Sequence, residues 1–194
     1  APPPGLAPKS PRGNPGGSIV GDRHSAARTG RRSTIRDAEL DDLQAIVEIY
    51  NASIPSREST ADTEPVTPDS RREWLRDRDR GHRPIWVLEE AGEVIAWLSL
   101  GDFHERPAYH ATAEVGVYVD PRHRRRGAAR ALLERAVESS AGLGISRLIA
   151  LLFAHNPASV ALFGRFGFER WGLLPGVTEL DGVERDVLIL GRRV

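Results

Sequence analysis

From Arg147 to Phe153 the chain reads Arg-Leu-Ile-Ala-Leu-Leu-Phe, a nearly unbroken apolar string of strand length. A strand apolar on both sides is covered on both faces, so this string predicts the interior of a layered sheet. Residues 85–90 and 93–100 are two more strands, joined through Ala91-Gly92 in a tight hairpin, with Trp86 and Trp97 in the core. Helical spacing takes over elsewhere. Leu40, Leu43, Ile46, Val47 and Tyr50 form a one-sided stripe over residues 37–51, with Asp37 or Glu39 near its positive end. A second helix is expected over residues 68–78, burying Trp74 and Leu75. Apolar residues from Ala128 to Val137 mark a third, and His155-Asn156-Pro157-Ala158-Ser159 opens a fourth that runs to Arg165 and stops at Gly167. A short edge strand at 34–36 and strands near 169–174 and 183–190 complete the pattern. Residues 54–66, polar and broken by Pro55 and Pro65, form a loop placed to cover a pocket. The pattern predicts an α/β fold: one mixed sheet with helices on both faces.

One junction carries chemistry. Residues 114–119 favour a strand, Asp120-Pro121 ends it, and Arg122-His123-Arg124-Arg125-Arg126-Gly127-Ala128-Ala129-Arg130 leads straight into the third helix. The first amides of a helix lack intrahelical acceptors and lie at the positive end of its dipole. Small residues at Gly127, Ala128 and Ala129 let an anion approach that backbone, and Arg124, Arg125, Arg126 and Arg130 strengthen the field. A run of arginines is often only a solvated face, so this stretch alone leaves a phosphate site and a bland turn about evenly matched.

Composition narrows the classes. A chain of 194 residues with 40% hydrophobic and 28% charged residues has room for one buried core. Its formal net charge of zero argues against a protein built to coat nucleic acid or an anionic membrane. Without cysteine there is no disulfide framework, thiolate metal site or cysteine nucleophile. Residues 1–33 differ in kind: rich in Pro, Gly, Ser and Arg, and basic through Lys9, Arg12, Arg23, Arg28, Arg31 and Arg32 against Asp22. They are expected to be a disordered extension, with the folded domain at 34–194. The extension lacks the apolar region of a secretory signal, and no apolar run reaches the roughly twenty residues of a membrane span. A cytoplasmic location is expected.

The spacing Arg124-x-x-Gly127-x-Ala129, between strand and helix, resembles the coenzyme signature of the GNAT superfamily of acetyl-CoA-dependent N-acetyltransferases. Asn156-x-x-Ser159-x-x-Leu162-Phe163-x-x-x-Gly167-Phe168 is similar to that superfamily's second conserved segment. Within it, Thr63-Glu64-Pro65, Ala108-Tyr109-x-x-Thr112-Ala113-Glu114 and Val117-Tyr118-Val119-x-Pro121-Arg122-His123 resemble the phosphinothricin acetyltransferase-like group. The resemblance implies a GNAT fold: a mixed, mostly antiparallel sheet whose central strands splay apart. Pantetheine would lie in the gap along Val117, Tyr118 and Val119. Pyrophosphate would sit on the turn from Arg124 to Arg130, and Asn156 and Ser159 would contribute to coenzyme binding. No metal is implied. Glu114 matches the general base, with Tyr109, His110 and Thr112 as candidate acceptor contacts, and the group implies a homodimer.

The resemblance departs from pattern at three places. Phe163 stands where many relatives carry a tyrosine or histidine that protonates the leaving thiolate, and Phe163 has no proton to give. Leu180 and Glu184 stand where a lysine and a tryptophan are expected for phosphinothricin, and His110 where arginine is common. The implied acceptor is the primary amine of a small molecule such as an amino acid or analogue. A protein or peptide amine is the alternative, and a non-catalytic nucleic-acid or acyl-CoA binding module a second one. Basic residues interleaved with exposed aromatics, the usual nucleic-acid signature, are missing.

Overall fold

The computed structural model describes residues 33–194; the extension expected over residues 1–33 lies outside these, except for Ser33. Seven strands and four helices follow in the order β1 (Ser33–Asp37), α1 (Leu43–Asn51), α2 (Pro68–Arg76), β2 (Ile85–Glu90), β3 (Glu93–Asp102), β4 (Thr112–Val119), α3 (Ala128–Ser139), β5 (Arg147–Phe153), α4 (Pro157–Arg165), β6 (Glu169–Leu180) and β7 (Val183–Arg193). They form one sheet in the order β1-β2-β3-β4-β5-β7-β6. Every neighbouring pair is antiparallel except β4–β5, which run parallel across the α3 crossover.

That parallel pair is short. It joins Thr112 to Arg147, Ala113 to Leu148 and Glu114 to Ile149, and then ends. Beyond it β4 stays with β3 as far as Val119 opposite Ala96, while β5 stays with β7 as far as Phe153 opposite Val187. Each strand follows a different neighbour, so the sheet opens into a wedge whose apex is Glu114.

Side-chain alternation along the strands builds two cores. On one face Ala113, Val115, Leu98, Leu148 and Ala150 pack with Leu132, Leu133 and Ala136 of α3 and Phe163 of α4. On the other, Val87 and Trp97 pack with Leu43, Ile46 and Val47 of α1 and Leu75 of α2. Trp86 and Trp97, each 4% exposed, belong to opposite cores.

Two expectations need correcting. The helix expected over residues 37–51 begins only at Leu43, after a short 3₁₀ turn. Glu39 and Asp42 cap each other reciprocally, and Arg36 holds Asp42 with bonds of 2.7 and 2.8 Å, so an ion pair fixes this entry. Leu40 is 44% exposed and drops out of the stripe. The strand expected near 169–174 runs on to Leu180, because Pro175-Gly176 makes a bulge rather than an end. Gly176 has φ 58° and its N–H donates to Asp186 Oδ1 at 2.8 Å. Among the described residues no helix is long and apolar enough to cross a membrane.

Candidate active site

The basic turn starts from a lock. Asp120 accepts the Arg122 N–H at 2.8 Å and its carboxylate meets the Arg122 guanidinium at 2.6 Å, while Arg122 also reaches Glu93 at 2.8 Å. Glu93, Asp120 and His123 lie close enough to suggest a metal group, but Arg122 already neutralises both carboxylates. Past this lock the chain turns left-handed at Arg125 (φ 63°) and Gly127 (φ 90°), and Gly127 enters α3 with no side-chain cap. The first bond into the helix runs from Ala131 N–H to Gly127 carbonyl, so among the described residues the amides of Ala128, Ala129 and Arg130 have no acceptor. Such a run of left-handed residues and free amides is an anion-binding concavity. Arg124, Arg125, Arg126 and Arg130 are exposed and, among the described residues, have no acidic partner.

The wedge leads away from this turn. From Val115 to Val119 the edge of β4 toward β5 has no ladder partner. Val117 and Val119 direct their side chains to the α3 face, whereas Glu114, Gly116 and Tyr118 face a cleft of about 310 Å³ between the sheet and the first two helices. Glu114 is half-buried and burial pushes its carboxyl above the usual carboxylate range. Among the described residues it has no hydrogen-bond or ion-pair partner, so its carboxylate is not a strand-end charge tied to an arginine. An anion that is desolvated yet unpaired is poised to take a proton from something else.

Aromatic residues wall the cleft. Tyr118 stacks on Trp97 with centroids 4.6 Å apart, and Tyr50 and Trp74 meet this pair edge-on. Two arginines open into the same space, Arg71 of α2 and Arg78 just beyond it. Arg78 lies over Trp74 with its guanidinium carbon 5.2 Å from the ring centroid, donates to Leu100 carbonyl at 3.2 Å, and keeps a buried Nε without a partner. A free anion and unsatisfied cationic donors thus share one small aromatic pocket at the apex of the wedge.

The profile of the Acetyltransferase (GNAT) family matches residues 43–168. The chain belongs to the GNAT acetyltransferase family. It is 48% identical over 162 residues to "Putative phosphinothricin acetyltransferase YwnH" of Bacillus subtilis strain 168, covering 83% of this chain and 99% of that protein. With the L-methionine sulfoximine/L-methionine sulfone acetyltransferase of Pseudomonas aeruginosa it shares 33% identity over 77% of this chain and 88% of the relative. The crystal structure of a GNAT superfamily phosphinothricin acetyltransferase from Sinorhizobium meliloti in complex with AcCoA superposes with a TM-score of 0.79 at 29% identity, covering 84% of this chain and 88% of that one. The α/β GNAT fold, with its mostly antiparallel sheet, splayed centre and two helical faces, is thereby established.

The remaining sequence candidates fall unevenly around this GNAT site. Asn156 caps α4 through Ser159 N–H at 3.0 Å and donates to Glu58 carbonyl at 2.9 Å, leaving one amide hydrogen uncommitted. Tyr109 and His110 lie away from the cleft: both are exposed, Tyr109 stacks on His104, and the His110 ring bonds Pro107 carbonyl at 2.9 Å. They sit in a short 3₁₀ turn ahead of β4, so the strand alternation that would have aligned His110 with Glu114 has not yet begun. Thr112 is buried and does not line the cleft; its carbonyl accepts from Arg83 at 3.2 Å. Phe163, 1% exposed, is packed edge-on against Phe168 in the core. The sequence reading missed Arg71 and Arg78. With Trp74 they repeat at i, i+3 and i+7, a helical spacing in sequence although α2 itself ends at Arg76, and a search for apolar stripes passes over arginines.

Proposed function

We propose that this enzyme transfers the acetyl group of acetyl-CoA to the α-amine of an amino acid or close analogue, with Glu114 as general base. The observation that carries the proposal is Glu114 itself: half-buried, its carboxylate unpaired among the described residues, and at the apex of the wedge facing the arginine-bearing cleft. The residues present fit the coenzyme. Free amides at Ala128, Ala129 and Arg130 with Arg124, Arg125 and Arg126 around them suit a pyrophosphate, and the unpaired edge of Val117, Tyr118 and Val119 suits an amide-bearing arm. Asn156 and Ser159, at the head of α4, are the further residues we assign to the coenzyme. Acetyl-CoA supplies the activated acetyl group; no metal is called for.

The acceptor enters from the cleft. Its carboxylate meets Arg78 in charge-assisted hydrogen bonds, and its ammonium faces Glu114. An ammonium has no lone pair, so Glu114 takes a proton, directly or through one water, before nitrogen attacks the thioester carbonyl. The C–S bond then breaks as the nitrogen gives its second proton to solvent, leaving the amide. A thiol has a pKa of about 8.5, so the thiolate is a fair leaving group that solvent protonates, and the buried Phe163 is no obstacle.

The tie between the 54–66 loop and the C-terminal hairpin favours a small amine over a peptide. Arg57 of the 54–66 loop bonds Asp181 at the β6–β7 turn with distances of 2.8 and 3.1 Å, tying the loop to the C-terminal hairpin. Trp171, Leu173, Leu174 and Val177 of β6 are exposed apolar side chains on an edge strand, which suits a homodimer, and a cytoplasmic location suits this metabolite chemistry. A panel of amino acids, small amines and peptides in an acetyl-CoA thiol-release assay tests the reading. Turnover confined to amino-acid-like acceptors supports it; turnover of peptides alone, or of none, overturns it.

A further inference from the structure

Arg71 and Arg78 open into the same cleft but in different electrostatic states. Arg78 has no carboxylate hydrogen-bonded to it among the described residues, since nearby Asp102 is held by Arg83 at 2.7 Å. Arg71 has one: its Nη2 lies 3.4 Å from Asp62 Oδ2, and its guanidinium carbon is 5.6 Å from the Tyr50 ring centroid. Asp62 also accepts the Tyr50 hydroxyl at 2.6 Å, so its carboxylate contacts two side chains that line the cleft.

Asp62 comes from neither helix; the loop between α1 and α2 delivers it. That loop is fastened at both ends. Asn51 exchanges two hydrogen bonds of 2.9 Å with Val66 at the far end. At the near end Arg57 bonds Asp181, the His155 ring donates to Arg57 carbonyl at 2.8 Å, and Asn156 donates to Glu58 carbonyl at 2.9 Å. Arg57 itself is held at φ 54°, a conformation a non-glycine residue adopts only when its surroundings enforce it. Two segments distant in sequence thus anchor the loop that carries Asp62 to its place beside Arg71.

We propose that Asp62 is a specificity-determining residue: it neutralises Arg71, leaving the cleft one uncommitted guanidinium for one anion, the acceptor's α-carboxylate. Acceptors with a second anion in the side chain then find Arg71 already matched by the Asp62 carboxylate. Neutral or apolar side chains lie against the Tyr50, Trp74, Trp97 and Tyr118 wall at no such cost. Selectivity here is repulsion set beside attraction. This inference rests on the cleft being the acceptor site.

Asp62→Asn tests it while preserving the fold, because the amide oxygen still accepts the Tyr50 hydroxyl and only the charge is lost. The readout is kcat/KM for L-phosphinothricin and L-glutamate relative to L-methionine sulfone, whose side chain is neutral. The expected result is a rise of about fivefold in that ratio, equivalent to about 1 kcal/mol, the upper range for a half-exposed charge pair. The rise should vanish in Asp62→Asn/Arg71→Gln. A ratio within about twofold of wild type, all three acceptors changing together, is what a merely structural role produces, and it would overturn the role of Asp62 alone. A wild-type enzyme inactive on all three acceptors would overturn the acceptor reading of the cleft and this role with it.

Discussion

The turn proposed for the coenzyme and the cleft proposed for the acceptor both rely on arginine, and they use it in opposite ways. Arg124, Arg125, Arg126 and Arg130 come from seven consecutive residues, stand in solvent and have no acidic partners among the described residues. Arg71 and Arg78 are helix-spaced, packed on Tyr50 and Trp74, and one of them is already matched by a carboxylate. Exposed charges in high dielectric gain little each, so the turn works by accumulation: several weak cations, a helix dipole worth about 0.3–1 kcal/mol, and free amides in one concavity. The cleft works by partial desolvation, where a single charge-assisted hydrogen bond contributes about 1.5–3 kcal/mol and an unmatched charge is correspondingly costly. A ligand carrying several negative charges suits the first arrangement; discrimination among small acceptors suits the second.

The sharpest way to separate the two is to damage one and leave the other. Gly127 has φ 90° and open space around its missing Cβ, so Gly127→Glu meets no steric clash. It brings a left-handed strain of about 1–2 kcal/mol and a carboxylate into the anion concavity. Affinity for acetyl-CoA should fall about a hundredfold or more with the fold retained, as calorimetry and circular dichroism would show; unchanged affinity in the folded variant would refute the site. Arg78→Leu should act on the other side. KM for the amino-acid acceptor should rise about tenfold to a hundredfold, the scale of one charge-assisted hydrogen bond, while acetyl-CoA affinity stays near wild type. A loss of coenzyme affinity instead would erase the division between the regions.

The same contrast explains what the sequence disclosed. The turn was legible because all its parts are contiguous: a strand end at Asp120-Pro121, a left-handed glycine and a helix start need no tertiary information. The position of Glu114 at the wedge apex followed from family resemblance, and the three-residue β4–β5 pairing supplies its physical basis. The cleft was illegible because α1, a loop, α2, β3 and β4 each contribute to it, and its arginines repeat at helical spacing among positions a hydrophobic count ignores. Asp62 is harder still: its placement depends on Asp181, His155 and Asn156, a hundred or so positions away. The helix start at Leu43 was missed for a related reason, since the Arg36–Asp42 ion pair competes with propensity and periodicity does not register it.

Both regions converge on Glu114, and its substitution by glutamine tests the account most directly. Burial raises the Glu114 pKa, so its proton-accepting form is lost as pH falls through that raised value, earlier than for an exposed glutamate. In the wild type, kcat/KM for the acceptor should therefore climb with pH across that ionisation and again as free amine accumulates. Glu114→Gln should bind acetyl-CoA as wild type does, lower kcat by about a hundredfold or more at neutral pH, and keep only the rise that tracks free amine. Wild-type turnover at neutral pH in the folded glutamine variant would contradict the account.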